Sequence, residues 1–176
     1  MVHVIVRSET PQDLDAIRNV NIAAFAHHPY SQQTEHLIVE ALRAAGALES
    51  SLVAEIDGEV VGHIAFSAAG IGDTSSVWYL LGPVAVLPDH QRKGIGRALV
   101  GRPAFFSGFG FQRYAGVAWD GFPDENVLCL LMCGDAPVGA VSYHLACTAG
   151  TWAARGFDGV FAALVRPQSQ RRTRPM

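Results

Sequence analysis

One stretch constrains the fold more than any other. From Val77 to Leu87 the chain carries no charged residue, and Pro88-Asp89-His90-Gln91-Arg92-Lys93-Gly94-Ile95-Gly96-Arg97-Ala98-Leu99-Val100 follows at once. An apolar run without polar alternation reads as a strand covered on both faces, so it belongs inside a sheet with helices over it. The segment after it reads as a glycine-containing turn into a helix. A helix N-terminus has unpaired N–H groups and the positive end of the macrodipole, and so attracts anions. Gly94 and Gly96 let an anion approach the backbone without a Cβ in the way. Arg92 and Lys93 add charge there, and Lys93 is the only lysine among the chain's 13 cationic residues. The combination reads as a pyrophosphate cradle. A dinucleotide fingerprint would need glycine where Leu99 stands, and the P-loop pattern is absent.

The rest of the chain supplies the partners such a strand needs. Val2 to Arg7 alternates as a first strand. Thr10-Pro11-Gln12-Asp13 has the cap, first-turn proline and acidic residue of a helix start, with Leu14, Ile17, Val20 and Ala24 following at helical spacing. A second helix is expected from about Gln32 to Ala45, closed by Gly46. Leu52 to Ile56 and Val60 to Ser67 read as a hairpin around Asp57-Gly58. Later, Val127 to Cys133 and Val138 to Leu145 read as strands joined by the turn Gly134-Asp135-Ala136-Pro137. Arg166 to Met176 holds four arginines, two prolines and little apolar content, and reads as a disordered tail.

Composition narrows the function classes. The 176 residues suit one domain, and 49% apolar against 16% charged residues permits a packed core. A net charge of −3 with no basic stripe argues against phosphate-driven nucleic-acid binding. The arginine tail alone is a weak case for it. The 3 cysteines (Cys129, Cys133 and Cys147) lack CxxC spacing, so neither a disulfide framework nor a zinc site is expected, and no metal is. The N-terminus carries no apolar leader and no run reaches the roughly 20 residues of a bilayer span. A cytoplasmic protein is the expectation.

Gln91-x-x-Gly94-x-Gly96 after Val84-Ala85-Val86-Leu87-Pro88 resembles the coenzyme loop of the GNAT N-acetyltransferase family. Within that family the chain is similar to a YhbS-like bacterial subgroup through Glu35-x-Leu37-Ile38 and Gly62-His63-Ile64-Ala65-Phe66-Ser67. Leu81-Gly82-Pro83-Val84-Ala85-Val86 and Phe109-Gly110-Phe111 carry the likeness further. The resemblance covers most of residues 2 to 147. It implies an α/β (α+β) GNAT-like acyl-CoA N-acyltransferase fold, a central mixed sheet flanked by helices. Residues 1–147 would form that domain, and 148–176 a C-terminal extension, partly disordered from 166.

The resemblance also implies an activity: transfer of an acetyl group from acetyl-CoA, as co-substrate, to the primary amine of a small molecule or peptide, by direct attack in a ternary complex. Backbone groups of Val84, Ala85 and Val86 would pair with the pantetheine arm. The loop Arg92, Lys93, Gly94, Ile95 and Gly96, with Gln91 and Arg97 beside it, would take the pyrophosphate. The Val86 N–H would stabilise the oxyanion. The base is open: the fourth strand has no carboxylate, and Glu35, His27, His28 and His63 are candidates by position. For the acid, relatives carry tyrosine where this chain has Phe105-Phe106, which leaves Ser107 as a weak substitute. Pairing into a homodimer occurs in the family.

The chain departs from the family pattern after Val100. Only Gly101-Arg102 stands before Pro103, whereas a parallel crossover to a fifth strand needs a dozen or more residues. The pattern is short by roughly twenty residues on that crossover arithmetic. The resulting apparent deletion around the fifth strand keeps an alternative alive, a non-catalytic acyl-CoA-binding protein derived from the same fold.

Overall fold

The computed structural model describes residues 3–28, 31–72, 78–101, 114, 116–118, 127–131, 137–149 and 162–166. Strand β1 (Ile5–Ser8) leads through a one-turn 3-10 helix (Pro11–Asp13) into α1 (Leu14–Phe25) and α2 (Glu35–Ala44). Strands β2 (Leu48–Ile56), β3 (Glu59–Ile71) and β4 (Trp78–Val86) follow, then α3 (Ile95–Gly101). The remaining strands are β5 (Val117–Ala118), β6 (Val127–Leu131), β7 (Gly139–Tyr143) and β8 (Ala162–Arg166).

The start of α1 is held as its sequence suggests. The Asp13 carboxylate accepts the Thr10 N–H at 2.7 Å, the Thr10 hydroxyl at 2.8 Å and the Arg7 guanidinium at 2.7 Å. Hydrogen bonding from Arg7, against the opposing effect of burial, holds Asp13 well below the usual carboxylate range. Arg7 also reaches Glu55, so one guanidinium ties β1, α1 and β2 together. Helix α2 begins three residues later than expected. Gln33 has φ +62°, which no right-handed helix accommodates, and the helix starts only after it. In the β2–β3 turn Asp57 (φ +51°) and Gly58 (φ +85°) take the left-handed geometry of a two-residue hairpin.

The sheet is mixed, in the order β1-β2-β3-β4-β8-β6, with β7 also pairing β3 and β5. Its β1–β4 part is antiparallel throughout; β6 with β8 and β5 with β7 are parallel. Strand β3 is buried from Val61 to Ser67 because both faces are covered. On one face Ile95 and Leu99 of α3 pack with Leu52, Ala54, Ile64 and Phe66. On the other, Ile17 of α1 and Val39 of α2 pack on Val53 and Ala65. A third cluster joins Ile38 and Leu42 to Ile71, Trp78, Leu80, Cys129 and Cys147.

Three expectations change. Strand β3 extends to Ile71 rather than Ser67, because Ala69, Gly70 and Ile71 pair with Tyr143, Ser142 and Val141 of β7. The two later strands do not form a hairpin with each other: β6 pairs β8, while β7 pairs β3 and β5. Each finds a partner far away in sequence, which local alternation does not reveal. Finally, Arg166 is the end of β8, opposite Leu131, rather than the start of a tail; residues 167–176 lie outside the described residues. Part of the stretch read as an extension beyond 147 thus supplies a strand of the central sheet. The partner of β4 after the shortened segment is antiparallel β8, with Tyr79 opposite Val165 and Leu81 opposite Ala163.

Candidate active site

The site begins where β4 loses its second neighbour. Ile64 stands opposite Val84 and Phe66 opposite Leu81, so Gly82 and Pro83 together oppose Ala65. This is a bulge, which bends a strand and increases its twist. Gly82 has φ +152°, a conformation that favours glycine. On the far side of β4, β8 pairs, among the described residues, with Tyr79, Leu80 and Leu81 only. Among the described residues no strand continues beside 82–86, and an open edge results.

Which groups face that edge follows from the ladder. The Leu87 N–H donates to the Val61 carbonyl at 2.9 Å, and Ala85 stands opposite His63. Along a strand the N–H and C=O of one residue point to the same side, and the side alternates. Ala85 and Leu87 therefore face β3, whereas Val84 and Val86 face the opening. Of the three residues expected to offer backbone groups there, Ala85 turns its own to His63. The Val86 carbonyl is also taken, by the Gln91 side-chain amide, which donates to it at 3.0 Å.

The loop that follows has the features of an anion site. The His90 N–H closes a 3-10 turn on the Leu87 carbonyl at 2.8 Å. Arg92 (φ +60°) and Gly94 (φ +84°) then take left-handed conformations, which turn successive N–H groups outward. A Cβ on Gly94 would meet nothing within 4 Å, so its open side faces free space. Helix α3 starts as the Ala98 N–H bonds to the Gly94 carbonyl, leaving the first N–H groups of that helix without helical acceptors. Ile95 and Leu99 bury at 1% and 0% exposure and fix the helix, while Arg92, Lys93 and Arg97 are exposed. None of these three cations enters an ion pair among the described residues. The cradle thus brings together Arg92, Lys93, Gly94, Ile95, Gly96 and Arg97, with Gln91 turned instead toward β4.

The proton-transfer candidates are dispersed. Glu35 opens α2, half-buried, and its carboxylate accepts the Ser31 hydroxyl at 2.6 Å. His27 and His28 are exposed, the His28 ring lying edge-on to Phe25 at 5.9 Å. Ser107 and the Phe105-Phe106 pair lie outside the described residues.

His63 is fully buried, with Asn21 Nδ2 at 3.1 Å from Nδ1 and Ser51 Oγ at 2.9 Å from Nε2. Ser51 also donates to Glu9, which Arg43 grips at 2.8 and 2.9 Å. Burial pushes the His63 imidazole down to about 4. Both ring nitrogens are engaged, so His63 is a core group without access to an incoming amine. Sequence reasoning did not find this chain of five polar residues; Glu9, Asn21, Ser51 and Arg43 share no motif, and only the fold joins them. Among the described residues no group of three or more His, Cys, Asp or Glu could hold a metal ion. No helix of the described residues is long and apolar enough to cross a membrane.

Comparison with known proteins adds to this geometry. Residues 14–102 match the sequence model of the acetyltransferase (GNAT) family. A GNAT family acetyltransferase from Brucella melitensis, crystallised in complex with acetyl-CoA, is 42% identical. It superposes with a TM-score of 0.67 over 83% of this chain and 99% of its own. The uncharacterized N-acetyltransferase YhbS of Escherichia coli K12 is 29% identical over 128 residues, 62% of this chain and 74% of that protein. A crystal structure of Escherichia coli YhbS in complex with CoA, with a TM-score of 0.53 at 23% identity, shares the fold over 94% of this chain.

Proposed function

This chain belongs to the acetyltransferase (GNAT) family, and from that premise we propose that it moves the acetyl group of acetyl-CoA to the primary amine of a small molecule or peptide. The observation that carries the reading is the open edge of β4 at 82–86 leading directly into the cationic loop. A pantetheine arm is strand-like and carries amides, so it can pair with an exposed strand edge. A pyrophosphate needs converging N–H groups and positive charge.

In this reading the pyrophosphate sits on the N–H groups of Arg92 to Gly96, flanked by Arg92, Lys93 and Arg97. The arm, which joins the pyrophosphate to the thioester, runs from the loop past Val86 toward Val84, and a backbone N–H facing that opening meets the thioester oxygen. The neutral amine attacks the thioester carbon. Charge develops on the oxygen and is stabilised by that N–H. The tetrahedral intermediate collapses with cleavage of the carbon–sulfur bond, the amine nitrogen gives up its proton and the CoA sulfur gains one. Glu35 is our candidate for receiving the amine proton, directly or through water. Its carboxylate is half-buried and already held by Ser31, so it has a set orientation. We place the enzyme in the cytoplasm, a reducing compartment that suits the free cysteines Cys129 and Cys147.

Calorimetric titration with acetyl-CoA tests the reading, with Gly94→Glu as the control. The glutamate adds a negative charge and a side chain on the open side of the loop, so binding by the parent and loss of binding in the variant are expected. A folded parent that does not bind refutes the proposal. Thiol release with a panel of amines then separates an enzyme from a protein that binds acyl-CoA without turnover.

A further inference from the structure

The buried polar chain around His63 has a direction and an unfinished end. Asn21 Nδ2 donates to the Ile17 carbonyl at 2.8 Å, a place no carbonyl oxygen could take, so the orientation of the amide is fixed. The same Nδ2 faces His63 Nδ1 at 3.1 Å, His63 Nε2 lies 2.9 Å from Ser51 Oγ, and Ser51 donates to Glu9. Every bond in this series donates toward the Glu9 carboxylate. Asn21 Oδ1 stands at the other end, a buried acceptor that receives no hydrogen bond among the described residues. A buried acceptor without a donor is costly, and polarisation along the chain makes this one stronger.

The position of that atom ties it to the opening. Ser51 lies on β2 and His63 on β3, while α1, which carries Asn21, packs across β3 and β4. The chain therefore crosses the sheet toward β4, where Ala85 stands opposite His63 and between Val84 and Val86 of the open edge. Val84 and Val86 pack on the α3 side of the sheet, whereas His63 shares the opposite face with Ala65, under α1 and α2. The cationic loop opens α3, so acetyl-CoA enters from the α3 side and leaves the α1 side to the amine. Asn21 is 1% exposed, which keeps substrate off it; a water molecule is small enough to complete the chain.

We propose that Asn21 is a positioning residue for the acceptor: its Oδ1 holds one internal water beside Ala85, and that water accepts an N–H of the incoming amine. The inference rests on the reading of the site given above and deepens it. The water donates one hydrogen to Oδ1 and offers a lone pair to the amine. With one N–H held in this way, the nitrogen lone pair is turned to the thioester carbon. Amine, water, Asn21, His63, Ser51 and Glu9 then each donate to the next. The chain orients the amine, and no proton passes through the Asn21 amide.

The test has two readouts. A crystal structure of the full chain with CoA, at a resolution that shows ordered water, is expected to place a water within hydrogen-bond distance of Asn21 Oδ1. No water there overturns the inference, whatever the activity, and this holds even where a variant fails to fold. The second readout is kinetic. Asn21→Leu keeps the size of the side chain and removes both amide groups. With an amine of the panel that turns over, kcat/KM for the amine falls roughly tenfold while the Kd for acetyl-CoA stays within about twofold of the parent. Asn21→Asp keeps an oxygen in place of Oδ1, with His63 Nδ1 protonated to meet the other, and returns kcat/KM to within about threefold. An Asn21→Leu protein that is destabilised but uses the amine as well as the parent makes Asn21 structural and overturns the inference alone. Failure of the parent to bind acetyl-CoA overturns the reading beneath it, and the amine's part in this one with it.

Discussion

His63 shows how one residue's environment decides its chemistry. Asn21 Nδ2 donates to the Ile17 carbonyl at 2.8 Å, which fixes the amide's orientation and makes Nδ2 the atom facing His63 Nδ1. His63 Nδ1 must then accept, so the ring proton is on Nε2 and is donated to Ser51, whose own proton goes to Glu9. For Glu9, burial acts to raise the carboxyl, but hydrogen bonds from Arg43 and Ser51 outweigh it, and the group ends below its ordinary value. Ser51→Ala breaks this line at its centre and leaves the His63 N–H buried without an acceptor. A cost of about 1–3 kcal/mol is expected in denaturant unfolding, and a loss indistinguishable from zero would refute the directional chain. The pH dependence follows from the same burial. Unfolded chains protonate His63 below its ordinary 6.5, whereas the native ring stays neutral until about 4. Its contribution to stability is complete above pH 6.5 and is lost as pH falls through that window, on the order of 3 kcal/mol in all. Unfolding followed from pH 7 to pH 4 checks it, and a flat profile would contradict it.

At the scale of elements, the anion loop depends on how closely α3 can approach the sheet. Gly62 on β3 makes that approach possible, since a Cβ there would lie 3.1 Å from both Ile95 Cγ2 and Leu99 Cδ1 and 3.3 Å from Ala54 Cβ. Gly62→Val forces the helix off β3. The expected result is a destabilisation of roughly 1–3 kcal/mol, accompanied by weaker acetyl-CoA binding because the loop moves with its helix. Unfolding and titration of the same variant test both parts. Normal affinity in a destabilised protein would show that the loop keeps its shape independently of α3. This glycine was legible only as a member of the Gly62-His63-Ile64-Ala65-Phe66-Ser67 segment. Its packing role depends on which helix covers β3, and nothing within a few residues of position 62 encodes that. The loop itself was legible, because turn glycines, adjacent cations and a helix start all lie within a single short stretch.

For the whole molecule, the decisive feature is that β8 fills the sheet between β4 and β6. Among the described residues it pairs β4 as far as Leu81, so β8 sets where the open edge begins. A chain cut after Thr148 loses that partner and leaves the Tyr79–Leu81 edge of β4 unpaired. It is expected to melt well below the full chain, or to aggregate. A truncated chain as stable as the parent in thermal melts would show β8 to be dispensable. The sequence by itself determined what is local: the hairpin at Asp57-Gly58, the capped start of α1 and the cationic glycine loop. Each depends on residues a few positions apart, where sterics, hydrogen-bonding reach and charge act without help. The apolar run of β4, by contrast, is half-buried from Leu81 to Val84, and the strand covered on both faces is β3. Only the tertiary structure decided that β6 and β7 separate to different partners, that β8 borders β4 and that His63 is a sealed core group. Those outcomes depend on pairings across 12 to 86 residues, from His63 with Ser51 to Tyr79 with Val165. Sheet register and burial select such pairings globally, and no local pattern in the chain carries them.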